Sequence, residues 1–540
     1  RRPGTVRHAD EWLPIRPGTD AALLLAMAQV LFAEGLVRLR GLEGRVAGVE
    51  ALRDAAARFT PEAVSPACGI PAERIRRLAR ELASAERGAV YGRIGTCNQE
   101  FGALASWAVD VLNVLTGNLD REGGAMFGKP VAWSFVNLPD PQWADGYVLG
   151  RFRSRVRGAP EVLGQFPVSC LAEEIATPGE GQIRGLVTIA GNPAISAPDA
   201  GRLEAALPGL EALVCVDNWV NETTRHADVI LPGLSPLENS HFDDLILNWA
   251  VRSVGNYSPP VFPPEPGRPE EWEILLTLAG ICAGQRRADF TAEQLDALFY
   301  GGLVAGLVQI PGFPIEGRDP AEIVAASRPG PGPLRILDLQ IRSGPFGDRF
   351  GAEPGGLTLA DFEAAPHGID RGPMVPRLGE VLRTKSGRVE LAPAPMLADL
   401  DRLHARLGRA EPPLVLVSRR HVRSNNSWMH NVPSLVRGRD RCTLLVHPDD
   451  AARLGVEDGK PARVESSAGA VVVPVEVSDE MMPGVVSLPH GWGHDRPGAR
   501  LGVAARHAGV NSNLLNPGEL VDALSGNQVV NGVPVEVSPV

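Results

Sequence analysis

Apolar residues recur at helical spacing in three stretches of the first 120 positions. IRPGTD (15–20) leads into an apolar run over 21–36, and Thr19 and Asp20 stand where a cap would satisfy free N–H groups, which predicts a helix there. Pro71 suits a first helical position, ahead of Ile75, Leu78, Ala79 and Leu82 on one face. A third amphipathic run covers 103–115 and stops at Gly117 and Asn118. Between the second and third, 89–92 reads as a short strand that opens the glycine-bearing turn YGRIGTCNQEFG (91–102).

Further along, the pattern shortens to β-branched runs at 186–189, 213–216 and 229–231, separated by lengths that suit crossovers in a mostly parallel sheet. From 256 to about 411 regularity is lost among Pro-Gly clusters, and one helix, 270–282, is clear. The last 130 positions change again, with runs at 414–417, 443–446, 462–465, 471–477 and 485–488 between turns, the signature of a barrel-like domain. No solenoid repeat is present.

Composition narrows the class. Of 540 residues 44% are hydrophobic, enough for several cores, and 60 Gly with 48 Pro make a fifth of the chain, spread among periodic segments as in a protein with many loops. No apolar run has the length of a membrane span. A formal charge of −11 argues against nucleic-acid or anionic-membrane binding through net charge, so a pyrophosphate ligand must find local Arg residues or backbone N–H groups. Six cysteines (68, 97, 170, 215, 282 and 442) show no metal-ligand spacing and fit reduced thiols in a cytoplasmic setting. The chain opens at Arg1 already in mid-pattern, so a fragment lacking its N-terminal part is expected; an export signal could precede it, which leaves a periplasmic location open.

The polar chemistry gathers at strand ends. AGNPAIS (190–196) follows one strand-like run, and VDNWVNETTRHADVILP (216–232) follows the next. Asp217 ends a strand, Glu222 and Thr223 open what comes after, and Asp228 stands before the run 229–231. Two such ends describe the crevice in which an open parallel sheet holds a nucleotide.

At this point the chain resembles the bis-molybdopterin guanine dinucleotide (bis-MGD) oxidoreductases, the family of formate dehydrogenases, nitrate reductases and dimethyl sulfoxide reductase. The markers stand in the family's order: IRPGTD, LTGNLDREGG (115–124), AGNP, ETTRHADVILP, TKSGRVEL (384–391), VSRRHVRSNNSWMHN (417–431), LPHGWGH (488–494) and GVNSNLL (509–515). The resemblance implies an α/β fold, with Rossmann-like parallel-sheet domains followed by a C-terminal double-psi-like β-barrel. It implies two MGD molecules holding molybdenum or tungsten, with the MGD-binding α/β domains at 1–87 and 88–255, an irregular connection at 256–410 and a dinucleotide-binding barrel at 411–540. For one MGD it implies Asp20 as acceptor for guanine N1–H and N2–H₂, with Arg16 and Thr19 nearby. A carboxylate's two acceptors match two adjacent donors. For the other it implies Asn192, Asp217, Glu222, Thr223 and Asp228.

In the C-terminal domain the resemblance points to Arg423, Ser424, Asn425, Asn426 and Ser427 as a loop over pterin edges and phosphates, with His490, Asn511 and Asn513 also at the pterins. His490 and His494 would form a metal pair on a helix, but Pro489, Gly491 and Gly493 make a loop the expected structure and zinc is not expected. Trp428 either stacks on a ligand or fills a core. Gly92 and Arg93 lie in a turn that faces the active centre in the family, with Arg93 a candidate for steering an anionic substrate. Cys97 reads as an ordinary thiol, because the family's metal ligand and its iron–sulfur cysteines lie upstream. No metal ligand is therefore expected in this chain. Electrons would pass through a [4Fe–4S] cluster in the upstream part to a carrier or partner subunit, in an oxidation or oxygen-atom transfer on a small substrate such as formate or nitrate.

Two rival readings fit the sequence less well. A non-catalytic electron-transfer scaffold, like the large iron–sulfur subunit of respiratory complex I, shares the AGNP-like and ADVILP-like segments but has little use for RSNNSWMHN, PHGWG and GVNSNLL. A nicotinamide-dependent dehydrogenase needs a GxGxxG turn that no candidate supplies.

Overall fold

The computed structural model describes residues 1–133 and 149–540. Its first core forms around the helix Asp20–Ala33, in which Ala21, Ala22, Leu25, Ala26, Val30 and Leu31 are all buried. A helix that is apolar nearly all round needs neighbours on every side. The helices Pro61–Cys68, Ala72–Ser84 and Gly102–Leu115 supply them. Leu378, Leu391, Leu400 and Leu403 join the same core from far along the chain, and Val46–Ala47 pairs in parallel with Val389–Glu390. This core runs unbroken past residue 87, so the division expected between 87 and 88 falls inside one packed unit.

Two local expectations give way to side-chain chemistry. Residues 89–92 form no strand, because the Asn113 side chain takes over the pairing role: Val90 N–H donates to Asn113 Oδ1 at 2.8 Å, and Asn113 Nδ2 donates to Val90 O at 2.9 Å. Thr19 does not cap its helix, since its hydroxyl donates to Arg16 O at 2.7 Å.

The strands Gly185–Ile189, Ala212–Val216 and Val229–Leu231 lie side by side in that order, all parallel, with Leu186 opposite Leu213 and Val214 opposite Val229. One face packs on the helices Leu171–Ala176 and Ala200–Ala206 through Ile175, Leu203, Leu213 and Cys215. The other face leaves Val187, Ile189 and Val229 between 42% and 54% exposed.

The region 256–410 is more ordered than its Pro-Gly content suggests. Helices occupy Glu271–Cys282, Ala292–Leu307, Pro320–Ala326, Pro333–Arg342 and Ala394–Leu407. Their starts are chemically marked: Glu270 with Glu273, and Thr291 with Gln294, form reciprocal capping boxes, and Asp319 accepts from Ala321 N–H ahead of Pro320 at the first turn.

The C-terminal domain is a seven-stranded curled sheet. Across it run Asn531–Pro534, Val415–Arg419, Val485–Pro489, Leu444–Val446, Ala470–Val477, Pro461–Glu465 and Glu536–Pro539. The first and last of these, at opposite edges, are separated in sequence by Val535 alone, so chain continuity brings the edges together. Alternate residues of Ala470–Val477 point inward, with Val471, Val473 and Val475 buried in its core.

Candidate functional site

A crevice of about 540 Å³ opens where the parallel strands end. Its floor is Ala190 to Asn192 after the first strand, Val216 to Trp219 after the second, and Gly233 and Leu234 after the third. This is the side of an open α/β sheet on which ligands bind. Ala190 holds a left-handed backbone, φ 48°, as its N–H donates across to Val216 O at 2.9 Å. Glu271 comes in from the capped helix, and Gly233 makes room for it: a Cβ there would sit 2.6 Å from Glu271 Cγ. The roof is the C-terminal domain, through Asn426, Ser427, Trp428, Asn431 and His494.

Asp217 is half-buried at the second strand's end. One carboxylate oxygen accepts from Trp219 N–H and the other from Asn221 Nδ2, both at 2.9 Å. Burial raises its pKa above the usual carboxylate value, and those donors offset it in part. Trp219 and Trp428 line the same crevice with 46% and 52% of their surface open. Trp428 therefore fills no core, and the two indoles offer apolar faces to a flat ring.

Behind the floor runs a buried polar chain that joins the two domains. Asn192 Nδ2 donates to Glu222 Oε2 at 2.8 Å, while Thr223 Oγ1 donates to Asn192 Oδ1 at 2.7 Å. Glu222 Oε1 lies 2.9 Å from His494 Nδ1, and His494 Nε2 lies 2.9 Å from His430 Nδ1. Burial works to raise the Glu222 pKa, but His494 and the hydrogen bonds from Asn192 and the backbone together outweigh it, and the carboxyl ends below its ordinary value. His430 is pushed down to about 3, by burial first and then by the charge on His494. His490, half-buried, is pushed down to about 4, by loss of solvent first and then by the charge on Arg420.

Asn511 and Asn513 tie the domains a second time. Their side-chain amides donate to the carbonyls of Ala194 and Ile195, at 3.0 and 2.5 Å, in the turn that follows Asn192. Asn513 also lies 3.5 Å from His490 Nδ1. The loop that carries His490 and His494 is irregular, and among the described residues no group of His, Cys, Asp and Glu is arranged to hold a metal ion.

The run 423–427 divides. Asn426 and Ser427 reach the crevice, Ser424 is buried with its hydroxyl donating to His421 O at 2.8 Å, Asn425 is exposed, and Arg423 turns into a separate small pocket. Asp228 takes no part in the crevice. It stands at the opposite, amino end of its strand, where its carboxylate accepts from Leu213 N–H at 2.8 Å and its own N–H donates to Leu213 O. An aspartate at that end braces the neighbouring strand.

Arg16, Thr19 and Asp20 lie elsewhere, by a second groove of about 350 Å³ that Pro17, Gly18, Arg402, Arg406 and Arg409 line. Arg16 faces Glu411 at 3.9 Å. Burial raises the Asp20 pKa, and Gln99 donates to its carboxylate. Gly92 and Arg93 sit on the surface, with Arg93 Nη1 donating to Tyr91 Oη at 3.0 Å. Cys97 is one of six free cysteines, its sulfur 3.6 Å from Ser106 Oγ. Trp219, Asn221 and Glu271 were not singled out from sequence. Trp219 and Asn221 follow the strand end directly and so carried a readable signal, whereas Glu271 reaches the crevice from a remote helix.

With this geometry in view, the comparisons are specific. The family model for molybdopterin oxidoreductases matches residues 2–281, and that for the Molydopterin dinucleotide binding domain matches 414–534, the curled sheet that roofs the crevice. The chain is 25% identical over 529 residues to a putative dimethyl sulfoxide reductase chain of Escherichia coli, covering 90% of this chain and 61% of that protein. It is 30% identical over 292 residues to the F420-dependent formate dehydrogenase subunit alpha of Methanocaldococcus jannaschii, covering 52% and 42%. A nitrate reductase of Symbiobacterium thermophilum is 25% identical over 519 residues, covering 89% and 62%. The chain thus spans about three fifths, or less, of the length of these relatives. The acetylene hydratase of Pelobacter acetylenicus shares the fold at a TM-score of 0.72 and 19% identity, over all of this chain and 73% of that one. A model matched over just over half of the chain, and a second over its roof, place this chain in the molybdopterin oxidoreductase family.

Proposed function

We propose that the crevice holds the guanine end of one molybdopterin guanine dinucleotide and that the whole protein is a molybdenum or tungsten oxidoreductase of the bis-MGD type. The observation that carries this reading is the placement of Asp217 and two half-open indoles at parallel strand ends, beneath a roof matched by a dinucleotide-binding model. The donor set fits the group. An ionised carboxylate has about four lone-pair sites, and Asp217 has spent one on each oxygen, so two remain for guanine N1–H and N2–H₂. Trp219 and Trp428 would hold the flat base, and Asn426 and Ser427 would close over it. Asn192, held by Glu222 and Thr223, would keep its part of the floor fixed.

A second dinucleotide is assigned to the groove beside the 16–20 turn. Asp20 would take the guanine there, with Arg16 and Thr19 shaping the turn and Arg402, Arg406 and Arg409 facing phosphate. Bound in this way, the cofactor supplies two-electron or oxygen-atom transfer chemistry at its metal, while the chain binds, orients and excludes water. Small substrates such as formate or nitrate, a [4Fe–4S] cluster and an electron-transfer partner belong to the whole protein in this reading, with exposed Arg93 the residue offered for guiding an anion. A scaffold without the dinucleotide has less support, because it would leave the indole-lined crevice and its roof without a purpose.

The test is cofactor content. Protein made in a host that synthesises MGD should contain molybdenum or tungsten and release guanine nucleotide on acid hydrolysis. Asp217→Ala should lower that nucleotide about tenfold, the worth of a good paired hydrogen bond. Metal-free and nucleotide-free protein from such a host would refute the reading.

A further inference from the structure

Trp107, Asp110, Val111 and Val114 recur at three- and four-residue spacing along the helix Gly102–Leu115, and together they form one wall of a cavity of about 730 Å³. Phe127, Trp249 and the turn 377–383 supply further walls. The lining is mostly apolar, and the size suits a small organic molecule. None of these residues lines the crevice at the strand ends or the groove beside the 16–20 turn.

Three aromatic side chains border this space. Trp107 is half-buried and fixed by its Nε1–H, which donates to Leu391 O at 3.1 Å; Phe127 is half-buried as well, and Trp249 is 71% exposed. The face of an aromatic ring carries the negative end of its quadrupole and attracts a cation. The charged groups of the lining point the same way. Arg377 donates to Gly128 O at 2.5 Å and lies 3.3 Å from Glu380, while Arg383 donates to the carbonyls of Glu380 and Leu382. Glu380 also faces Lys129 at 3.7 Å, and Glu390 accepts from the Ser386 hydroxyl. Among the described residues Asp110 is the one ionisable group of the lining with no hydrogen-bond or ion-pair partner.

Asp110 stands three residues on from Trp107, so carboxylate and indole are neighbours on the helix surface. An anionic ligand would meet that carboxylate while both arginines of the lining are already engaged. A neutral apolar ligand would strip water from Asp110 and give it no partner in return. A cation with apolar substituents answers to both the rings and the carboxylate. We propose that this cavity is a binding site for a small organic cation, an ammonium ion with apolar substituents, whose charge is held by Asp110 and the rings of Trp107, Phe127 and Trp249 and whose substituents pack on the apolar walls. The site does not depend on which cofactor the crevice holds.

The experiment is calorimetry of the whole chain with benzyltrimethylammonium, with benzyl alcohol as a neutral and phenylacetate as an anionic aromatic control. The cation should bind about tenfold or more tighter than either control. Asp110→Asn, at an exposed position, keeps the shape and removes the charge. It should cancel most of that preference and leave both benzyl alcohol binding and the thermal melt unchanged. Trp249→Ala, also at an exposed position, should weaken the cation about threefold, and Asp217→Ala should leave it bound as in the parent. Either control binding as tightly as the cation, a preference that survives Asp110→Asn, cation binding lost in Asp217→Ala, or no cation binding at all would each overturn the assignment.

Discussion

Glu222 is the residue on which most of the buried polar chemistry turns, since one oxygen holds Asn192 and the other holds His494. Glu222→Gln keeps the shape and removes the charge. Loss of a buried hydrogen bond to a charged group costs about 1.5–3 kcal/mol, so urea denaturation near neutral pH should show the variant weakened by that amount, with an unchanged m-value. Two histidines, His430 buried and His490 half-buried, set the pH response. The pKa values of His430 and His490 are depressed in the folded state, to about 3 and about 4, so the unfolded chain binds more protons below the ordinary histidine value. Stability is then full above about pH 6.5 and falls as pH drops toward those depressed values. Glu222 adds a smaller loss at lower pH, below the ordinary glutamate value, because its folded pKa is also depressed. A series of denaturation midpoints from neutral to acid pH should slope downward, and His430→Asn should flatten the slope; a flat profile in the parent protein would contradict the burial of these rings. At this scale Asp217, Glu222 and Thr223 were legible in the sequence because they crowd a strand end. The role of Asp228 was not, because the same residue type before a strand serves either a ligand or a neighbouring backbone, and only the register with Leu213 decides between them.

The elements that the sequence marked best were those with one strong period. The three parallel strands and five of the C-terminal runs appear within a residue or two of their expected bounds, since β-branched runs between turns leave few alternatives. Within 256–410 the sequence marked the helix Glu271–Cys282, while the other helices were hidden by proline and glycine in their linkers, although TAEQ (291–294) is a capping box in plain letters. Residues 89–92 failed the other way, since no period can reveal that Asn113 will pair with Val90. The LPHGWGH loop shows what glycine does for an element without regular structure. Gly491 has φ 96°, and a Cβ there would lie 1.8 Å from Asn426 O. Gly491→Ala should therefore push the 424–428 loop off the crevice and cost roughly 1–3 kcal/mol for the strained backbone alone. A thermal melt reads the cost, and a change in Trp428 fluorescence reads the displaced roof; a variant that matched the parent in both would show that the two loops are not in contact.

At the scale of the whole molecule, the parallel sheet is covered on one side only among the described residues. All-parallel sheets carry a layer on both faces, yet Val187, Ile189 and Val229 stand open to solvent here. The chain should accordingly bind a hydrophobic dye and self-associate as its concentration rises, and Val187→Thr with Val229→Thr should reduce both effects. Light scattering indistinguishable between the two proteins would locate the sticky surface elsewhere. No helix among the described residues is long and apolar enough to cross a membrane. The union of sheet crevice and C-terminal roof was foreseeable from the order of the motifs. The manner of it was not, because Asn511, Asn513 and His494 reach their partners across some 270 to 320 residues of sequence.

The curled sheet has a consequence for how such a protein is made. Its two edges are joined through Val535, so the roof cannot take its final form until residues 536–539 have left the ribosome. The crevice floor by then has long been synthesised, and domains tend to fold as they emerge. Throughout that interval the floor is a lidless cradle, open along the side that the last strands will seal, and a long, rigid guest could be laid in it rather than threaded.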